Sequence, residues 1–154
     1  MTQHHIVIGE FDEQRLRRLL KSSRRLAIRD QIHLQELRSE LERAVVLRSA
    51  EVPRDIITMH AHVLVLDLAS GERSAYQLVY PAEADLDSNR ISVLAPLGTA
   101  LLGYGVGDKV QWMMPGGLRR LRIERVLQPQ DGFVKRATLL RGDQSGNEFG
   151  PEAA

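Results

Sequence analysis

The chain has 154 residues, 43% hydrophobic and 27% charged, enough for one ordinary domain or a small domain with a helical appendage. Its 21 Lys and Arg against 20 Asp and Glu leave a formal charge of +1, so bulk charge nominates neither a nucleic acid nor a membrane as partner. The lack of cysteine removes disulfides, thiolate nucleophiles and cysteine-based zinc sites; Met1 to Glu10 has no signal-peptide pattern, and no stretch nears the roughly 20 apolar residues of a membrane helix, so a cytoplasmic location is expected.

After a short extended run, Ile6-Val7-Ile8, Asp12 has the residue type of a helix N-cap, a carboxylate able to accept from the orphan N–H groups of a first turn. Phe11 before it and Leu16 four residues after it have the spacing of a hydrophobic staple, which predicts a helix from residue 13. Leu16, Leu19 and Leu20 form its apolar stripe; Arg15, Arg17, Arg18 and Lys21 populate the rest. Lys21-Ser22-Ser23-Arg24-Arg25 has no apolar period and predicts a turn. Asp30 is a second candidate cap, and beyond it Leu34, Leu37, Leu41 and Ala44 recur at intervals of three and four, the seam of packed helices. This helix must end before Pro53. Two helices joined by a short loop predict an antiparallel hairpin over residues 1–52.

From Ile56 the period becomes extended. His60 to Leu68 and Ser74 to Tyr80 predict a hairpin around Ala69-Ser70-Gly71-Glu72. Pro81 and Asp85 to Asn89 interrupt the chain before a short strand, Ile91-Ser92-Val93, and Pro96 then opens one or two helical turns over Leu97 to Leu102. A turn at Val106-Gly107-Asp108 leads into a last hairpin, Lys109 to Met114 and Leu118 to Leu127 around Pro115-Gly116-Gly117. There Leu121 and Ile123 alternate with Arg120, Arg122 and Glu124, as a sheet with one wet face demands. The expected fold is α+β: a short helical hairpin, a sheet domain over residues 53–128, and a tail, 129–154, that is poor in apolar residues and predicted to be mobile.

Signals for catalysis are scarce. No P-loop, dinucleotide fingerprint, nucleophile elbow or zinc-binding helix motif occurs, and the glycines of Gly103-Tyr104-Gly105-Val106-Gly107 precede a turn and strand instead of a phosphate-cradling helix. His60 and His62 fall on one side of an expected strand, but without a third ligand they read as an ordinary pair, and His4-His5 carries less; neither metal nor cofactor is expected. Residues 15–29 hold seven Lys or Arg and no acid, which gives the hairpin tip, with Lys21, Arg24, Arg25 and Asp30, a positive field. Two readings stand: a solvated helix face, favoured by the lack of interleaved aromatic residues, and contact with nucleic acid. Arg119, Arg120, Arg122 and Arg125 form a second patch on the final strand, where charge also protects an edge from aggregation.

The stretch Ile91 to Gly103 (Ile-Ser-Val-Leu-Ala-Pro-Leu-Gly-Thr-Ala-Leu-Leu-Gly), followed by Val106-Gly107-Asp108 and Pro115-Gly116-Gly117, resembles the C-terminal domain of Gre transcription elongation factors. Ile57-Thr58-Met59 and Val79-Tyr80-Pro81-Ala82 are similar to the Rnk-type branch, known as regulators of nucleoside diphosphate kinase. The resemblance covers residues 50–128. It implies an FKBP-like sheet domain that docks on the rim of the RNA polymerase secondary channel through Leu94, Pro96, Leu97, Thr99, Ala100, Leu101 and Leu102. In Gre factors an acidic residue commonly stands two positions before that proline; here it is Leu94. Gre factors also carry a long coiled coil with an acidic, metal-supporting tip, whereas a first helix of about ten residues spans about 15 Å and ends in basic residues. The expectation is therefore a regulator that stimulates no transcript cleavage, competes with Gre factors, and touches nucleoside diphosphate kinase indirectly if at all. Two other classes remain: a nucleic-acid-binding module using the arginine patches, and a peptidyl-prolyl isomerase-like domain with Trp112, Tyr76, Tyr80 and Tyr104 around an apolar pocket.

Overall fold

A computed structural model describes residues 5–22, 28–114 and 116–129, with the backbone alone for 28–33, 113 and 114. The expected mobile tail, apart from Pro129, lies outside them. The chain runs β1 (Val7–Gly9), α1 (Glu10–Lys21), α2 (Ile28–Arg43), β2 (Val45–Leu47), β3 (His62–Asp67), β4 (Arg73–Val79), β5 (Arg90–Ser92), α3 (Pro96–Leu101), β6 (Lys109–Met114) and β7 (Gly117–Leu127). The fold is α+β, with a five-stranded sheet in the order β5-β4-β3-β7-β6, parallel at β4–β5 and antiparallel elsewhere.

Both hairpins of the sheet form at the turns their glycines mark. Alternation on β7 buries Leu121 and Ile123, and one extra residue, Glu124, bulges where Val65 pairs with Ile123 and Leu64 with Arg125. The edge-strand reading of the β7 arginines is corrected: β7 lies between β3 and β6, and the edges are β5 and β6. A polar residue at every second position marks a wet face, which a central strand of an antiparallel sheet also has.

The helices begin differently from expectation. α1 starts at Glu10 with Gly9 as its N-cap and no side-chain cap, so Asp12 lies inside the first turn, where Glu10, Asp12 and Glu13 together face the positive end of the helix dipole. No hydrophobic staple forms, because Phe11 is 67% exposed. α2 starts at Ile28, two residues ahead of Asp30, which is therefore also inside a first turn. Of the expected leucine stripes, Leu16, Leu20, Leu34, Leu37 and Leu41 are buried in the common core, and Leu19 and Ala44 are half-buried against it. β2 was not anticipated, since three residues are too few to show a period; it pairs in parallel with β1, Val7 against Val45 and Gly9 against Leu47.

One buried cluster continues from Ile6, Leu16 and Leu37 through Ile57 and Leu78 to Leu101 and Ile123, so helices and sheet share a core. β1 is its seam. The Val7 N–H donates to the Gly103 carbonyl at 3.2 Å, and Gly103 has φ +82°, with Ile6 standing where a Cβ would be. A left-handed backbone and an occupied Cβ position both require glycine there. Gln128 ties the other end: it is 6% exposed, donates to the carbonyls of Arg54 (2.8 Å) and Ile56 (2.9 Å), and accepts from Thr58 Oγ1 (2.8 Å).

Candidate functional site

The chain leaves β5 and turns into α3 through a segment with no slack. Pro96 occupies the first helical position, where its missing N–H costs nothing and its fixed φ suits the helix. Thr99 Oγ1 donates to the Val93 carbonyl at 2.6 Å, the Leu94 N–H donates to Ser92 Oγ at 3.0 Å, and Gly98 sits so close that a Cβ would fall inside the Ser92 carbonyl. This packing divides the seven residues expected at a docking surface. Leu94, Thr99, Leu101 and Leu102 are buried and hold the element in place; only Pro96, Leu97 and Ala100 keep exposed surface. Leu94 is fully buried and presents no polar group at the surface.

Two concavities flank that surface. One, of about 280 Å³, lies over the sheet between Trp112, Tyr76, Leu97, Pro96 and the Asp67–Arg119 pair. The other, of about 990 Å³, lies between α2 and β6, with Gln35, Ser39 and Glu40 on one wall and Tyr104, Val110 and Trp112 on the other. Pro96 and Trp112 line both. The indole N–H of Trp112 is buried and meets no acceptor among the described residues.

The charges of the sheet are largely committed inside it. Asp67 takes an ion pair from Arg119 and accepts the N–H groups of Ala69 (2.8 Å) and Ser70 (3.1 Å). The Arg119 guanidinium, then those backbone donors, hold its carboxyl below the ordinary range. Glu124, at the bulge, collects both Arg73 (2.7 Å) and Arg122 (3.3 Å).

A third group joins α1 to the sheet. Asp12 Oδ2 accepts the Met59 N–H at 3.1 Å, while Arg15 lies over the Tyr80 ring, 4.0 Å from its centroid. Burial raises the Asp12 pKa despite that hydrogen bond, and burial likewise pushes Tyr80 well above a normal phenol. His60 is not on a strand with His62 as expected: it precedes β3 with φ +69°, and its Nε2 meets Glu83 Oε1 at 2.8 Å. Among the described residues no three His, Cys, Asp or Glu side chains gather as metal ligands. At the expected hairpin tip Lys21 is exposed on the last turn of α1 and Asp30 is placed by its backbone in α2; Arg24 and Arg25 lie outside the described residues. Sequence reasoning missed Asp12–Met59, Arg15–Tyr80 and the Gln128 clasp, because each joins positions distant in the chain and none has a local motif.

Residues 52–128 match the family model described as transcription elongation factor, GreA/GreB, C-terminal, and residues 4–47 match the Rnk N-terminus. The chain belongs to the GreA/GreB–Rnk family. It is 38% identical over 120 residues to the regulator of nucleoside diphosphate kinase of Escherichia coli K12, covering 77% of this chain and 85% of that protein. It is 39% identical over 93 residues to transcription elongation factor GreA of Rhodospirillum rubrum, covering 60% of this chain and 59% of that one. The solved structure of the prokaryotic elongation factor GreA/GreB from Nitrosomonas europaea superposes with a TM-score of 0.68 at 36% identity, over 82% of this chain and all of that one. Within the family alignment the α3 surface and both concavities' sheet walls belong to the GreA/GreB segment, while α1 and the part of α2 facing the larger concavity belong to the Rnk segment. Among the described residues no helix is long and apolar enough to cross a membrane.

Proposed function

We propose that this chain is a cytoplasmic transcription regulator that binds RNA polymerase at the rim of the secondary channel and catalyses no reaction of its own. The observation that carries the reading is the strip Pro96, Leu97 and Ala100, which lies in the GreA/GreB-like segment over buried Leu94, Leu101 and Leu102 and is bordered by two concavities. In the finer reading the sheet domain is FKBP-like and α1 with α2 forms a short coiled-coil hairpin. With 12 residues, α1 extends about 18 Å and ends in Arg18 and Lys21, so it supplies neither the reach nor the paired carboxylates that metal-assisted transcript cleavage needs. Such a protein occupies the docking site, stimulates no cleavage and competes with Gre factors. Any effect on nucleoside diphosphate kinase, named for the relative in Escherichia coli, then lies downstream of transcription.

The test is a titration of immobilised bacterial core RNA polymerase with this protein, alone and against a Gre factor, together with Leu97→Glu and Pro96→Ala variants checked for an unchanged thermal transition. Saturable binding displaced by the Gre factor and weakened at least tenfold by Leu97→Glu is expected. Absence of binding at tens of micromolar protein, an affinity weaker than about −6 kcal/mol, refutes the reading.

A further inference from the structure

The two faces of the five-stranded sheet carry different residues. Opposed residues on neighbouring strands share a face and successive residues alternate, so strand register sorts them. Val63, Val65, Leu121 and Ile123 lie on the inner face, within the common core. On the outer face, Lys109 stands opposite Arg122, Arg120 opposite Gln111, Arg125 opposite Leu64, Arg73 opposite Leu66 and Arg90 opposite Gln77. Among the described strand residues one carboxylate shares that face, Glu124, which meets Arg73 and Arg122. Taking six cations from 21 and one acid from 20 leaves 15 against 19, so a chain of net charge +1 divides into a face of +5 and a remainder of −4.

Neither edge protection nor internal pairing explains this face. β4 and β7, which carry four of the six cations, are interior strands. Arg90, Lys109 and Arg120 are exposed and pair with no carboxylate among the described residues. Lys109 and Arg122 are like charges directly opposed, an arrangement that destabilises a sheet. Such a face gains from counter-charge supplied by another molecule. Its form selects among anions. The described strands present no Phe, Tyr or Trp on it; Leu64 and Ala75 are buried, and the exposed Leu68 and Leu118 stand at one end. It therefore lacks both the central apolar anchor of a protein interface and the stacking platform of a single-strand binder.

We propose that the outer face of the sheet binds the phosphate backbone of a nucleic-acid duplex through its six cations, without reading sequence. A duplex stacks its bases on one another and turns its phosphates outward, so it asks for charge alone, and guanidinium forks match phosphate oxygens. From β5 to β6 the sheet is four strand spacings wide, about 19 Å, against about 12 Å for a major groove, so cations near opposite edges reach phosphates on both sides of one groove. The face shares no residue with the strip Pro96, Leu97 and Ala100, so it does not depend on the polymerase reading.

The experiment is fluorescence anisotropy of a labelled DNA duplex of about two helical turns, titrated with the full chain, free of polymerase, across a salt series. Comparison is with Lys109→Gln/Arg120→Gln, with Arg90→Gln at the opposite edge, and with the charge-matched Arg38→Gln/Arg48→Gln off the sheet, all matched for thermal transition. Binding whose logarithm falls linearly with log[salt] is expected, with Lys109→Gln/Arg120→Gln about tenfold weaker, its slope shallower by about 1.8 for two lost contacts, and Arg90→Gln shallower by about 0.9. The off-sheet variant stays near wild type, and Glu124→Gln, which removes the acid from the face, binds about threefold tighter. Equal binding of a duplex of different sequence supports backbone recognition. Absence of salt-dependent binding at tens of micromolar protein overturns the proposal, as does an equal loss in the off-sheet variant or an unaltered slope in Lys109→Gln/Arg120→Gln. Displacement of the duplex by polyglutamate or by phosphatidylserine vesicles at matched charge overturns nucleic acid as the occupant.

Discussion

β7 carries four arginines and α1 carries three with Lys21, and the two sets differ in what they meet. On β7 two of the four are drawn into the sheet, Arg119 on Asp67 and Arg122 on the bulged Glu124. On α1 the acids are gathered at the opposite end of the helix, so Arg18 and Lys21 face solvent. Arg119 and Arg122 thus belong to the fold, as do Arg17 through Glu13 and Arg15 through Tyr80, whereas Arg18 and Lys21 meet no carboxylate among the described residues. Surface charge therefore carries functional information only after internal pairing has been subtracted, a subtraction that composition alone does not allow.

Substitutions sharpen this contrast by the size of their effect on stability. The largest loss is expected at the committed end of the molecule, beside α3, where Gly98→Ala drives a methyl group into the Ser92 carbonyl; backbone cannot yield as a side-chain tip does, and urea denaturation should register a loss of about 3 kcal/mol or more. Thr99→Val keeps the shape but leaves the buried Val93 carbonyl without its donor, a loss of about 1–2 kcal/mol on the same assay. Next come two carboxylates with opposite pH signatures. Asp67 has a folded-state pKa below the ordinary 3.8, so its stabilisation is fully present above 3.8 and is lost as pH falls from there through the lowered folded-state value; Asp67→Asn should flatten the acid limb of a stability–pH curve. Asp12 is shifted upward by burial, so its ionisation weakens the folded state as pH rises from 3.8 through the raised value; Asp12→Asn should gain on wild type across that interval. A gain for Asp67→Asn, or a parallel pH curve for Asp12→Asn, would break the assignment of either group. The smallest effect is expected for Arg18→Glu/Lys21→Glu, under about 1 kcal/mol of stability on the same urea assay.

Much of the architecture was legible because it follows local rules. Alternation over Leu118 to Leu127 and glycine at the tight turns define the sheet hairpins, and the leucine spacing on α1 and α2 predicts which faces are buried. What was misread depends on competition between local and distant partners. Asp12 has the residue type of a cap, yet the helix begins two residues earlier and its carboxylate accepts the Met59 N–H, 47 residues away. The candidate site was legible as a segment but not as a surface: the motif around Pro96 fixes the turn and helix, whereas burial of Leu94, Leu101 and Leu102 emerges only when β6 and α2 pack against α3. The pairing that neutralises β7 was invisible for the same reason, since Asp67 and Arg119 are brought together by strand register alone.

β1 gives the fold an order of assembly. The helices and the two hairpins of the sheet need only contacts between chain neighbours, and such elements form early. β1 instead needs β2 on one side and Gly103 on the other, so it can be seated only after both distant segments have been drawn together. Its three residues are expected to be seated last, and a chain lacking them should retain its hairpins while losing cooperativity between helices and sheet, seen as two unfolding transitions in place of one.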